Sequence, residues 1–182
     1  MCRVCGREGR CEMDRKPILY ILCGRPFAGK STLARALAER RGVTVVEMDA
    51  INTERGLGLD GAAIALEEWD ATFGEAYRRV GALLDAGRDV AFDSTAYTRE
   101  QRDVLRGLTH GHGAHALVVF VDVPTGVSFA RWRENRRTGA RFDVRDEDFL
   151  NVVEHFEPPG DDERALRYDG TEPMEAGVRR EL

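Results

Sequence analysis

A glycine-rich segment at residues 24–31 is the part of the chain whose residue types most clearly indicate chemistry. It reads G-x-x-x-x-G-K-S, which is the pattern of a loop that binds phosphate groups. Backbone N–H groups in such a loop, together with the N-terminus of the following helix, point at anionic phosphates. We therefore predict that a nucleotide binds here through Gly24, Arg25, Pro26, Phe27, Ala28, Gly29, Lys30, Ser31 and Thr32.

Lys30 and Ser31 have the most specific predicted roles in this loop. Lys30 is expected to reach the β- and γ-phosphates and to act in catalysis, and the Ser31 hydroxyl is expected to ligate Mg²⁺. Lysine is rare in this chain, since Lys and Arg together number 27 and only Lys16 and Lys30 are lysines. Phe27 stands where many such loops have glycine, and we expect its ring to lie against the nucleotide or to cover the loop. The alternative interpretation is a glycine-containing turn before a helix.

Asp49 is expected at the same edge of the sheet as this loop. An apolar run, Ile18–Cys23, predicts a strand before the loop, and residues 31–41 predict a helix after it. A second, β-branched run at residues 43–47 ends just before Asp49. Because ligands of open α/β sheets bind beyond the carboxyl ends of the strands, we expect Asp49 to take the proton from an attacking hydroxyl or to hold the substrate. Alternatively, it caps the helix that follows.

Asp93 follows the third predicted strand, at residues 89–92, and reaches the same edge. A carboxylate in this place is typical of a group that organises Mg²⁺, and it could also orient the substrate. Alternatively, Asp93 merely ends the strand. The hydroxyl of Thr95 is expected on the substrate side as well.

The residues between the second strand and the next helix are expected to cover the acceptor. Residues 50–61 are rich in glycine and predict a mobile, irregular loop. Arg55 lies within it and could contact an acceptor phosphate or a neighbouring acid, or it could be a solvated surface arginine. A helix is predicted at about residues 62–86, and its apolar residues recur at spacings of three or four. This spacing favours a face packed on the core over a platform for stacking bases: Leu66, Trp69, Phe73, Tyr77, Val80 and Leu84.

Positive charge is concentrated between residues 131 and 141, where five arginines occur in a chain of net charge −5. Phosphoryl transfer requires cations that stabilise the charge of the transferred group. We therefore predict an arginine-rich lid at about residues 131–145, with Arg133 and Arg137 as the catalytic candidates. The alternative is the solvated end of a helix.

Cysteine and histidine patterns raise the question of a metal site. Cys2, Cys5 and Cys11 form C-x2-C-x5-C, but no nearby histidine completes the four ligands that a tetrahedral zinc site needs. We expect residues 1–12 to be a disordered leader, or Met13 to be the functional start. His110, His112 and His115 form H-x-H-x2-H in a loop expected at the amino edge of the sheet, away from the phosphate-binding loop. Metal binding is the minor alternative in both places.

Length and composition suit one domain, which we place at residues 13–182 of the 182. No apolar run approaches the ~20 residues that span a bilayer, and no signal-peptide pattern occurs. We therefore expect a cytoplasmic location and no membrane partner. The net charge of −5 argues against a surface that coats nucleic acid broadly. Oligomeric state is left open by the sequence.

The chain from Ile18 to about Glu163 resembles the small P-loop kinases related to polynucleotide 5′-hydroxyl kinases, with an AAA-type ATP-binding kinase-like domain. Gluconate-kinase-like and antibiotic-phosphorylating enzymes are related to the same group. The matching parts are residues 24–32, Asp49, residues 93–95, the turn at Pro124, residues 131–137, and Phe156-Glu157-Pro158-Pro159 with Glu163 after it.

The resemblance implies an α/β fold of the three-layer P-loop NTPase kind, with a parallel five-stranded sheet in the order 2-3-1-4-5 and helices on both faces. It implies ATP and Mg²⁺, transfer of the γ-phosphate to a hydroxyl, Asp49 as general base, and a lid arginine from residues 131–137. In the polynucleotide kinases an arginine shortly after the base binds the acceptor's 3′-phosphate. Here the residue three positions after Asp49 is Asn52, and the next arginine is Arg55. A small hydroxylated molecule and a polynucleotide 5′ end therefore both stay open as acceptors. The alternative function is a nucleotide-dependent switch, or an ATPase without a transfer substrate.

Overall fold

A five-stranded parallel sheet forms the centre of the protein, as seen in a computed structural model that describes residues 15–58, 63–140 and 144–169. Its strands lie in the order β2-β3-β1-β4-β5, and every adjacent pair is parallel. This confirms the predicted sheet order. The leader expected at residues 1–12 lies outside the described residues. The strands are β1 (Ile18–Cys23), β2 (Thr44–Glu47), β3 (Val90–Asp93), β4 (His115–Val121) and β5 (Leu166–Tyr168).

Helices cover both faces of the sheet. They are α1 (Lys30–Arg41), α2 (Met48–Glu54), α3 (Leu66–Asp85), α4 (Arg99–Gly111), α5 (Thr125–Thr138) and α6 (Asp146–Glu154), and a short 3₁₀ turn (Asp161–Glu163) precedes β5. One core cluster holds residues of β1, β3 and β4 together with α3 and α4, and a second packs the opposite face of the sheet against α1. Because both faces are covered, β1 reads as an almost continuous buried run rather than as an alternating pattern.

Residues 50–61 were predicted to be irregular throughout, and this prediction is wrong for the first part of the segment. Helix α2 runs to Glu54, and Met48 and Ile51 on one side of it are buried. Packing of these two side chains, three residues apart, stabilises a short helix that the glycine content did not indicate. The chain then turns at Gly56 and Gly58, which have φ of 71° and 67°.

The apolar stripe of α3 packs on the core as predicted, with one exception. Trp69, Phe73 and Tyr77 pack against the core, and their rings follow one another along the helix. Leu66 is 74% exposed, so its assignment to the packed face is wrong. It is the first residue of α3, and it therefore lies beyond the end of the core that the later turns of the helix cover.

Candidate nucleotide-binding and transfer site

The phosphate-binding loop joins β1 to α1, as its motif predicted. At its start, the Gly24 N–H donates to the Thr95 carbonyl oxygen at 3.0 Å, which ties the loop to the segment after β3. Gly24 has φ of 153°, and a Cβ added there would lie 2.7 Å from the Val121 carbonyl oxygen. Only glycine therefore fits this position without displacement of the loop. The missing side chain lets the start of the loop pack closely against β4.

Phe27 and Gly29 also adopt left-handed backbone conformations, with φ of 60° and 118°. For Phe27 this conformation is uncommon, since a side chain at positive φ is strained. The strain explains why glycine is frequent at the corresponding place in such loops. Ser31 is half-buried in the first turn of α1, and Thr32 beside it is exposed.

Lys30 begins α1 and is folded back over the loop. Its ammonium group donates to the carbonyl oxygens of Gly24 at 3.0 Å and Arg25 at 2.8 Å, and the residue is 7% exposed. Burial lowers the pKa of Lys30, and attraction to the carboxylates of Asp93 and Asp49 opposes that shift. The Lys30 ammonium group is thus bound to the backbone of the loop whose motif predicts phosphate binding.

The structure brings Asp49 and Asp93 into the same electrostatic environment as Lys30. Asp93 is 6% exposed and lies in register with Leu22 of β1 and Glu47 of β2. Asp49 follows at the start of α2. Burial raises the pKa of Asp49, repulsion from Asp93 raises it further, and attraction to Lys30 lowers it. A carboxyl group with a raised pKa is a better proton acceptor near neutral pH than an ordinary aspartate.

The donor set at this edge fits a magnesium ion bound together with phosphates. Mg²⁺ prefers oxygen ligands, and it is commonly held by one or two protein groups plus substrate phosphates and water. The Ser31 hydroxyl and the Asp93 carboxylate are the oxygen groups that would hold it. The half-buried Thr95, which follows Asp93 by two residues, adds a hydroxyl to this edge.

Arg55 is not part of this group, because its side chain is bound to α3. Its guanidinium donates to the Glu68 carbonyl oxygen at 2.6 Å, to the Glu68 carboxylate, and to the Thr72 hydroxyl. The Thr72 hydroxyl in turn donates to the side-chain oxygen of Asn52 at 2.8 Å, and Asn52 is fully buried. Arg55 therefore joins α2 to α3.

Among the arginines near residue 131, the one that contacts the phosphate-binding loop was not among the catalytic candidates. Arg131 donates to the carbonyl oxygens of Ala28 at 2.8 Å and Phe27 at 3.3 Å. Arg133 lies 6.0 Å from the centre of the Phe129 ring, and Arg137 pairs with Glu134 on the exposed side of α5. Two residues along a helix rotate by about 200°, so Arg131 and Arg133 face in opposite directions. The catalytic roles of Arg133 and Arg137 stay predictions.

Arg25, the second residue of the phosphate-binding loop, contacts residues outside the loop. Its guanidinium lies 4.8 Å from the centre of the Phe156 ring and 3.9 Å from an oxygen of Asp122. Arg25 and Asp122 also line a cavity of about 460 Å³, together with Phe120 and residues before and within β5. The Arg25 side chain therefore has partners of its own within the fold.

The remaining predictions concerned metal-binding cysteines and histidines and a membrane span. Cys2, Cys5 and Cys11 lie outside the described residues. Within residues 15–58, 63–140 and 144–169, no group of three or more His, Cys, Asp or Glu residues is placed to hold a metal ion. His112 instead bonds to Asp85 at 2.7 Å. Over the same residues, no helix is long and apolar enough to cross a bilayer.

Comparison with known proteins connects this geometry to a family. A family model described as an AAA domain matches residues 19–159. Shikimate kinase of Thermobifida fusca (strain YX) is 41% identical over 91 residues, which are 49% of this chain and 52% of that protein. The match thus spans about half the length of this curated relative.

Solved structures show the same fold at low sequence identity. A candidate kinase from Chloroflexus aurantiacus j-10-fl is similar with a TM-score of 0.73 and 20% identity, over 92% of this chain and 100% of that one. A gluconokinase from Sinorhizobium meliloti 1021 is similar with a TM-score of 0.60 and 23% identity, over 91% and 89%. The fold is that of the P-loop kinases.

Proposed function

Because the chain belongs to the AAA domain family whose model matches residues 19–159, we propose that it is an ATP-dependent phosphotransferase acting on a hydroxyl group of a small molecule. The observation that carries this proposal is the coupling of Asp49, Asp93 and Lys30 beside the phosphate-binding loop. Binding of phosphates requires the loop and Lys30 alone. A second carboxylate with a raised pKa at the open edge is what removal of a proton from an acceptor requires.

The residues of the loop hold the donor in this proposal. In this proposal ATP supplies the phosphoryl group, and Ser31 and Asp93 would hold a Mg²⁺ ion, which would neutralise negative charge on the phosphate oxygens. Lys30 exchanges its two carbonyl partners for phosphate oxygens, which are better partners for an ammonium group because they are charged. Arg131 keeps the far end of the loop in place through Phe27 and Ala28.

Asp49 acts on the acceptor. Its carboxylate accepts a hydrogen bond from the acceptor hydroxyl and takes the proton as the acceptor oxygen bonds to the γ-phosphorus of ATP. The bond between that phosphorus and the β,γ-bridging oxygen breaks, and ADP leaves. Thr95 stands at the same edge and orients the acceptor. Because α2 carries Asp49 and is fastened to α3 through Arg55, the base is held in a fixed position relative to the sheet.

Because the side chain of Arg55 is already bound to Glu68 and Thr72, a small acceptor is favoured over a polynucleotide end. Within residues 43–77 the only basic residue is Arg55, and it is bound to Glu68 and Thr72. An acceptor phosphate that contacts this part of the chain would therefore have to break this ion pair, because residues 43–77 supply no other cation. A neutral hydroxylated acceptor needs no such group, and the structure supports this class better. A polynucleotide 5′ end is the alternative.

Transfer of labelled γ-phosphate from ATP to a panel of acceptors tests the proposal. The panel contains hydroxylated acids such as shikimate and gluconate, neutral polyols, and 5′-hydroxyl oligonucleotides. We expect product with at least one small hydroxylated acceptor and none with the oligonucleotides. Labelled inorganic phosphate as the sole product would support an ATPase, and nucleotide binding without turnover would support a switch.

The role of Asp49 is tested with Asp49→Asn, which keeps the shape of the side chain and removes the base. We expect transfer to fall by about 10²- to 10⁴-fold, with ATP affinity retained. Asp85→Asn, at an exposed carboxylate near the end of α3, is the matched control and should transfer at the wild-type rate. Full transfer by Asp49→Asn would contradict the assignment of the base.

A further inference from the structure

Arg102 of α4 is a fully buried arginine that the proposed mechanism does not use. Its side chain is 0% exposed, and its Nε and Nη2 donate to the two carboxylate oxygens of Glu163 at 2.7 and 2.8 Å. The Gly160 N–H also donates to Glu163, at 3.0 Å. Hydrogen bonds from Arg102 lower the pKa of the Glu163 carboxyl group. The pair is thus a two-pronged ion pair inside the protein, between α4 and the segment that precedes β5.

The remaining nitrogen of Arg102 binds backbone at the carboxyl edge of the sheet. Nη1 donates to the carbonyl oxygens of Ala96 at 3.0 Å and Glu157 at 2.9 Å, and it lies 3.8 Å from the Cys23 sulfur. The Cys23 thiol also donates to the Ala96 carbonyl oxygen, at 3.5 Å. One guanidinium therefore contacts three segments: the end of β1, the turn after β3, and the chain that leads to β5.

These contacts lead directly to the phosphate-binding loop. Ala96 has φ of 39°, an uncommon backbone conformation for a residue other than glycine. The residue before it, Thr95, accepts the N–H of Gly24 at 3.0 Å, which is the bond that holds the first glycine of the loop. A donor to the Ala96 carbonyl thus stabilises the strained turn on which that bond depends.

Stability alone does not explain why an ion pair stands here. Removing two charges from water carries a large cost, and well-packed apolar side chains of similar size often stabilise a fold as well or better. An apolar pair would fill the space of Arg102 and Glu163. It would remove the Arg102 donor from the Glu157 carbonyl oxygen and leave the Ala96 carbonyl oxygen with only the weak thiol donor of Cys23, and no apolar side chain can replace that function.

We propose that the buried Arg102–Glu163 ion pair positions the phosphate-binding loop, with Arg102 holding the Ala96 turn and Glu163 holding Arg102. Both are positioning residues, since neither touches the nucleotide site itself. The proposal rests on the proposed nucleotide site for its affinity readout, but the geometry of the loop can be measured without any nucleotide.

The test separates loop position from global stability by means of four variants. Arg102→Met and Glu163→Met each leave one buried charge, and the double variant Arg102→Met with Glu163→Met removes both. Arg102→Lys keeps the charge, but a single ammonium group cannot reproduce the fork that binds Glu163 and Ala96 together. Arg78→Met removes an exposed ion pair with Glu75 on α3 and serves as the matched control.

Hydrogen exchange of the amides in residues 19–30 and calorimetric titration with ATP are measured on each variant, together with thermal unfolding. We expect the double variant to unfold near the wild-type temperature, while exchange at Gly24 becomes at least tenfold faster and ATP binds at least tenfold more weakly. Exchange in α3 should not change. Arg102→Lys should show the same local effects to a smaller extent, and Arg78→Met none.

Wild-type exchange at Gly24 in the double variant would overturn the proposal and leave the pair with a purely structural role. If the double variant does not fold, hydrogen exchange in Arg102→Lys decides the question. Faster exchange spread evenly over all helices would overturn the proposal, and faster exchange confined to the loop would support it. A wild-type protein that does not bind ATP would refute the proposed function, whereas the exchange comparison would still decide the role of the pair.

Discussion

Replacing Gly24 by alanine is the sharpest test of how the phosphate-binding loop works. The new Cβ would lie 2.7 Å from the Val121 carbonyl oxygen, about 0.7 Å short of the 3.4 Å at which ordinary contact begins. Val121 lies in β4, is almost fully buried and is paired with Tyr168 of β5, so the strand cannot move aside. The loop itself must therefore shift by a large part of that distance.

A shift of this size reaches the two bonds that define the start of the loop. The Gly24 N–H bonds to Thr95 and the Gly24 carbonyl accepts from Lys30, both at 3.0 Å. Because a misplacement of about 1 Å can cost up to about 100-fold where geometry decides an interaction, we expect ATP affinity to fall by about 10- to 100-fold. The strain should also lower the free energy of unfolding by about 1–3 kcal/mol.

Gly42→Ala is the matched control for the backbone strain. Gly42 ends α1 with φ of 67°, and a Cβ there meets nothing within 4 Å. This variant should lose about 1–2 kcal/mol of stability and keep wild-type ATP affinity. Calorimetric titration with ATP and thermal unfolding of both variants give the comparison. ATP affinity of Gly24→Ala within threefold of wild type would refute the steric argument.

Three further predictions concern Asp49 and α3. Because burial and Asp93 raise the pKa of Asp49, turnover should decline on acidification at a pH above the ordinary aspartate value of about 4, and a pH–rate profile without this limb would contradict the role of the base. The pKa of Asp49 is higher in the folded than in the unfolded protein. Its favourable contribution to stability is therefore present below the unfolded-state pKa and is lost as the pH rises through the folded-state pKa. Asp49→Asn should therefore unfold at a higher temperature than wild type at pH 8, with no gain near pH 3, as thermal scans at both pH values would show. Gly74→Ala, in the middle of α3 with nothing within 4 Å of its new Cβ, should add about 0.5–1 kcal/mol to the free energy of unfolding in urea, and a loss would contradict the open space seen there.

The order of the strands was predicted correctly from the family resemblance, whereas local sequence indicated where the strands lie along the chain. The apolar runs of β1, β3 and β4 are buried on both faces, and such runs stand out in a sequence. Helix α2 was missed because its stability comes from burial of Met48 and Ile51, a tertiary contact that a glycine-rich segment does not reveal. The prediction that Leu66 packs on the core was wrong because periodicity shows which side of a helix is apolar but does not show where the core ends.

The candidate site also has features that the sequence predicted and features that only the packing determined. Motif and strand position placed Lys30, Asp49 and Asp93 at one edge, because a residue that follows a parallel strand must lie there. Side-chain direction was not determined in this way. Arg131 and Arg133 are two residues apart on one helix, and only the packing of α5 against the loop shows that Arg131 is the one that contacts it.

The sequence by itself determined which residue types form the proposed donor side: a loop for phosphates, a lysine for their charge, and carboxylates beyond the strands. These are properties of residue type and of local spacing, which are fixed by the order of the chain. Only the tertiary structure decided the state of Arg55, bound to Glu68, and the contact of Arg102 with the turn at Ala96. Both depend on segments distant in sequence that meet in the fold, and pairing energies of this kind arise only when packing brings the partners within hydrogen-bonding distance.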